Sequence, residues 1–161
     1  MAPDSVVPAQ QVRTVPRYGL MPVHGYDIAS AVVLRMLDHN DGDDDRSLRA
    51  RGLGPGEPVP YGVQPVIVAP STVYGTVQVE AIVREWPDAL PKPWLVVVAD
   101  VPARPAAAAR YRLRALGGRL AGTAYLPYLP ALRSVERAED ALADAAVVRA
   151  AVRLRAQLDG K

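Results

Sequence analysis

The side chains of this chain that could do chemistry are few, and their types exclude much. There is no cysteine among the 161 residues, which removes disulfides, thiolate nucleophiles, Cys-type zinc sites and iron–sulfur clusters. His24 and His39 each stand without a partner at ligand spacing, so no metal site and no histidine base is expected. The acidic run over residues 38–45 invites a calcium loop. Gly42 is misplaced for an EF-hand beginning at Asp38, however, and its twelfth position would be Arg49 instead of Glu, so a solvated loop is the better reading.

The stretch His24-Gly25-Tyr26-Asp27-Ile28-Ala29-Ser30 lies between a predicted strand and the start of a predicted buried helix. Phosphate loops occupy such places, because free backbone N–H groups and the helix dipole attract anions. A working phosphate loop also needs several glycines and a Lys before Ser or Thr, and these are missing. Gly25 and Ser30 are the candidate nucleotide contacts, set against the plainer reading of a tight turn and a small packing residue. Asp27 reads as a helix cap. Asp100 reads either as a turn cap ahead of Pro102 or as a group facing a cleft, and the sequence leaves both open. Arg110, Arg112 and Arg114 are the side chains that could meet nucleic-acid phosphates, although most such arrays are solvated helix faces. Residues 125–130, with Tyr125 and Tyr128, read as packing and turn, with Tyr128 a candidate partner contact.

Hydropathy patterning supplies the elements that position these groups. Residues 1–18 carry Pro3, Pro8 and Pro16 without helical or strand period and are expected to form a flexible arm ahead of a single domain over residues 19–161. Residues 20–24 read as a strand, and 28–37 as a helix apolar nearly all round. Residues 38–62, acidic and then Gly- and Pro-rich, read as a long mobile loop. Residues 65–69 read as a strand buried on both faces. Residues 71–86 fit both a strand alternation and a helical stripe of Val79, Ile82, Val83 and Trp86; length favours a helix, with Ser71 as cap and Pro87 as stop. Residues 94–99 are the clearest strand. A helix with Pro105 near its first turn follows, then a strand over 120–126 and a final helix over 135–158 whose acidic start and basic end suit the helix dipole. Strands alternating with helices predict a three-layer α/β domain, with a mostly parallel sheet of about four strands and helices on both faces. Ligands in such sheets sit at the carboxyl ends of the strands, here the loops at residues 24–30, 69–72, 100–104 and 127–133.

The order of elements, together with VIVAPSTVYGTVQVEAIV, WLVVVADVPAR and AYLPYLPALRSVERA, resembles the C-terminal half of the ParA/MinD-like P-loop ATPases. VVVAD and LPY are also similar to shorter ParA-like proteins found near mobile-element genes, which carry incomplete phosphate loops. The resemblance covers about two thirds of the chain and implies a P-loop NTPase-like, Rossmann-like fold. Asp100 would take the place of an Asn near the adenine, and Pro127 would begin the last loop of the cleft. Gly25 and Ser30 would match phosphate-loop positions, with Tyr26, Ile28 and Ala29 where Gly, Gly and Lys are expected. No Lys occurs before Lys92, and no hydrophobic strand ending in Asp lies between residues 38 and 63, so the phosphate clamp and the magnesium-anchoring carboxylate are both missing. The resemblance implies a degenerate, non-catalytic member acting as a binding or regulatory accessory protein, with no cofactor beyond remnant ATP or ADP binding. It also implies a homodimer or a protein partner. Two other readings stand beside it: a nucleotide-binding protein or weak ATPase that needs a partner subunit, and a DNA-associated accessory protein.

Composition agrees with a folded, soluble chain. Half the residues are hydrophobic, 22% are charged, and the mean hydropathy is +0.03, enough apolar surface to build a core. The formal charge of +2 is too small a field to argue for nucleic acid. All but two of the 19 basic residues are arginine, the exceptions being Lys92 and Lys161. Apolar runs are broken well before the roughly 18 to 20 residues of a membrane span, and the first residues lack the basic and apolar blocks of a secretory signal, so a cytoplasmic location is expected.

Overall fold

Five parallel strands form one sheet in the order β2-β1-β3-β4-β5 in the computed structural model, which describes residues 15–39 and 48–160. The strands are β1 (Tyr18–Pro22), β2 (Ala50–Gly52), β3 (Gln64–Pro70), β4 (Trp94–Val98) and β5 (Gly122–Leu126). β3 and β4 occupy the middle, which is why their sequences are unbroken apolar runs rather than alternating ones. Their side chains divide strictly by parity. Val66, Val68, Val96 and Val98 enter one core, whereas Ile67, Ala69, Leu95 and Val97 enter the other, as the two-residue strand period requires.

Helices cover both faces. On the first lie α1 (Ile28–Leu37), α4 (Ala138–Ala141) and α5 (Ala145–Leu158), whose Val33, Met36, Leu37, Val147, Ala151 and Leu154 complete the larger core. On the second lie α2 (Val73–Arg84) and α3 (Ala107–Leu116), contributing Val79, Val83, Leu113 and Leu116. α2 holds its β-branched residues in a helix because tertiary packing outweighs propensity, and Thr72 caps it by accepting the Gly75 N–H at 2.9 Å. Gly75 is required by proximity: a Cβ there would lie 2.5 Å from the Pro70 carbonyl oxygen, so the first turn of α2 rests directly on the end of β3.

The chain end is tied back to the sheet. The Tyr18 hydroxyl donates to Asp159, whose carboxylate also meets Arg17 at 3.1 Å and Arg49 at 3.3 Å. Burial and the Asp159 charge push the Tyr18 phenol well above its ordinary pKa. Burial alone would raise Asp159, but the Tyr18 hydroxyl, Arg17 and Arg49 outweigh it and hold the carboxyl below its usual range.

Several expectations are corrected here. The sheet has five strands, not about four; the extra one, β2, is only three residues long and sits inside the segment read as a loop over 38–62. Ala50 and Leu53 within that segment and Val63 just after it are buried, so it is anchored to the sheet at these points, while residues 40–47 lie outside the described residues. The expected arm over 1–18 overruns into β1, since Tyr18 is buried and pairs with Ala50 and Gln64; residues 1–14 lie outside the described residues. The final helix over 135–158 is broken: α4 ends at Ala141, and Asp144 starts α5 afresh by accepting the Ala146 and Val147 N–H groups. Ser71 is not the cap of α2, and Pro105 precedes the capping position of α3. Among the described residues no helix is long and apolar enough to cross a membrane.

Candidate functional site

The strand order reverses at β1: the chain passes from β1 to β2 on one side of it and returns to β3 on the other. α1 therefore leaves the carboxyl end of β1 toward one face, and α2 leaves that of β3 toward the other. The divergence opens a crevice at this edge of the sheet, the usual ligand position in open α/β folds. Its volume is 370 Å³, within the range of small-molecule pockets. The ends of β3 and β4, through Val68, Ala69, Pro70, Val98 and Ala99, make an apolar wall, and Leu129 and Leu132 after β5 close the far side.

Gly25, Ser30 and Asp100 all line this crevice. Gly25 has φ +79°, so the turn between β1 and α1 needs it for backbone reasons alone. Asp27 caps α1 in a closed capping box. Its carboxylate accepts the Ser30 N–H at 2.8 Å, and the Ser30 hydroxyl accepts the Asp27 N–H at 2.9 Å while lying 2.9 Å from the same carboxylate. The N-terminus of α1, where a bound phosphate would sit, is thus already occupied by an anion of the chain itself.

Asp100 is fixed from two sides. The Ser71 hydroxyl, itself buried, donates to its Oδ1 at 3.0 Å, and the Arg133 guanidinium donates to its backbone carbonyl. Arg133 also lies over the Tyr128 ring, 5.7 Å from its centroid, a cation–π contact that helps hold it against the loop after β5. Among the described residues, neither Asp27 nor Asp100 has an Arg or Lys ion-pair partner. His24 stacks on Tyr74 of α2 with ring centroids 5.1 Å apart, joining the rims contributed by β1 and β3. No described group of three or more His, Asp or Glu side chains could hold a metal ion.

Other expected contacts lie elsewhere. Pro127 lines a separate groove beside Ser71, Val97, Pro105, Tyr125 and Arg153. Arg112 turns back onto α2, donating to Glu80 at 2.7 Å and Thr76 at 3.3 Å, so it is not part of an open basic array with the exposed Arg110 and Arg114. Ser71 and Arg133 as supports of Asp100 were not legible from residue spacing, because both meet it only across strands; both do fall within expected loops, at residues 69–72 and 127–133.

No family model, curated protein or solved structure matches the chain. The capabilities of the crevice follow from its own groups: apolar walls to exclude water, the Asp27 and Asp100 carboxylates, and the Arg133 guanidinium already engaged on the Asp100 carbonyl.

Proposed function

We propose that this protein is a non-hydrolytic binding domain that holds a small ligand in the crevice between β1 and β3 and acts as an accessory or regulatory protein. In this reading it is a degenerate relative of the ParA/MinD-like P-loop ATPases that keeps the sheet and has lost the phosphate machinery. The observation that carries it is the capping box of Asp27 and Ser30. A β-phosphate at this helix would have to displace the Asp27 carboxylate, losing a cap that contributes about 1 kcal/mol, and would then face that displaced charge at close range. No lysine is near enough in sequence to offset the repulsion, the first being Lys92 on the far side of α2. The apolar walls and the fixed Asp100 support retention of a binding site after loss of the phosphate loop.

The test is thermal unfolding and phosphate release with millimolar Mg-ATP and Mg-ADP. The expected result is no turnover and no change in melting temperature. A ligand present at 100 times its dissociation constant would add about 2.7 kcal/mol, or roughly 5–10 °C for a domain of this size. A rise of that size, or turnover abolished by Asp100→Ala, would replace this reading with the nucleotide-binding one.

A further inference from the structure

We infer that the crevice selects a small organic cation with a flat apolar body, of the aryl-amine or aryl-amidine class, and rejects phosphorylated ligands; this rests on the binding reading above. Three features lead to it. The walls from β3 and β4 are aliphatic, and the loop after β5 adds Leu129, Leu132 and the Tyr128 ring, so the body of the ligand must be apolar. Two carboxylates without ion-pair partners, Asp27 and Asp100, share this lining, so the polar end of the ligand must donate hydrogen bonds and is favoured if positively charged. Asp100 is also preorganised: Ser71 holds Oδ1 and Arg133 holds the backbone carbonyl of a residue that lines the crevice.

Arg133 does not reverse this preference. Its guanidinium is spent on the Asp100 carbonyl and the Tyr128 face, and its side chain lies at the exposed mouth. An anion entering there would pass one cation and then meet two carboxylates. At the first turn of α1, the other possible anion position, the Ser30 N–H is already taken by the Asp27 carboxylate. A cation meets the opposite field on the same path, and its desolvation inside apolar walls is compensated by a fixed carboxylate.

The experiment compares three probes of one shape and different charge: benzamidinium, benzamide and benzoate, each titrated at millimolar concentration against the full chain and followed by methyl NMR of Val68 and Val98. Benzamidinium is expected to shift these methyls saturably and to bind about tenfold more tightly than benzamide, with benzoate producing no shift. Asp100→Asn keeps the shape and the Ser71 contact, and is expected to erase the advantage of benzamidinium while leaving benzamide unchanged. Equal binding of benzamidinium and benzamide, or an advantage that survives Asp100→Asn, overturns the inference and leaves the crevice as a binding site. Preference for benzoate, or crevice shifts produced by Mg-ADP instead, overturns both the inference and the reading it rests on. Failure of all three probes to shift Val68 or Val98 overturns the inference as well.

Discussion

Replacing Tyr18 with Phe is predicted to make the protein less stable at neutral pH and to abolish part of its alkaline sensitivity. Tyr18 is buried, and its hydroxyl donates to Asp159. Loss of a hydrogen bond to a charged acceptor costs about 1.5–3 kcal/mol, a fall in melting temperature of about 3–12 °C for a chain of this length. The pH dependence is the sharper test. The Tyr18 phenol is raised above 10.0, first by burial and then by Asp159. Above pH 10 the unfolded chain releases this proton while the folded chain keeps it. Stability contributed by Tyr18 is therefore fully present below pH 10 and falls by about 1.4 kcal/mol per pH unit above it. Urea titrations of the wild type and Tyr18→Phe at pH 7, 9, 10 and 11 should show a constant gap up to about pH 10. The gap should then narrow by about 1.4 kcal/mol by pH 11, since the remaining tyrosines and lysines titrate in both proteins. A gap that stays constant to pH 11 would refute the raised Tyr18 phenol that burial and Asp159 together produce.

Two further substitutions probe the frame of the site. Gly75→Ala places a Cβ 2.5 Å from the Pro70 carbonyl; a backbone clash of this kind should cost about 1–3 kcal/mol, visible as a lower urea midpoint, and an unchanged midpoint would show that α2 does not rest on β3 as described. Arg112→Ala should lower stability by roughly 1 kcal/mol through loss of Glu80 and Thr76 while leaving any duplex-DNA affinity and its salt slope unchanged; a reduced slope would restore Arg112 to a nucleic-acid face.

The two central strands were legible because apolar runs bounded by Pro survive in sequence where a strand is buried on both faces, whereas α2 fits strand and helix periods alike and is decided by its length and the Pro87 stop. β2 was not. Three residues, Ala50-Arg51-Gly52, carry no period, and they become a strand only because Tyr18, Gly19 and Leu20 offer a free edge to pair with. The break between α4 and α5 was hidden for a similar reason: the Ala-rich sequence favours helix throughout, and only the Asp144 side chain, capping Ala146 and Val147, resets it. At the site, the cap role of Asp27 was readable from residue type next to an apolar run. The reciprocal bond from Asp27 to Ser30 gives that cap its second meaning, closure of the anion position, and emerges only from geometry. The support of Asp100 by Ser71 and Arg133 bridges three loops distant in sequence, and no local pattern encodes it.

The most direct test of the closed anion position is a titration of the ¹⁵N-labelled chain with millimolar Mg-ADP, read at the backbone amides of Ile28, Ala29 and Ser30. With Asp27 in place these three amides should not move, because its carboxylate holds the Ser30 N–H and sets a negative charge at the start of α1. Saturable shifts at Ile28, Ala29 and Ser30 in the wild-type protein would contradict the account.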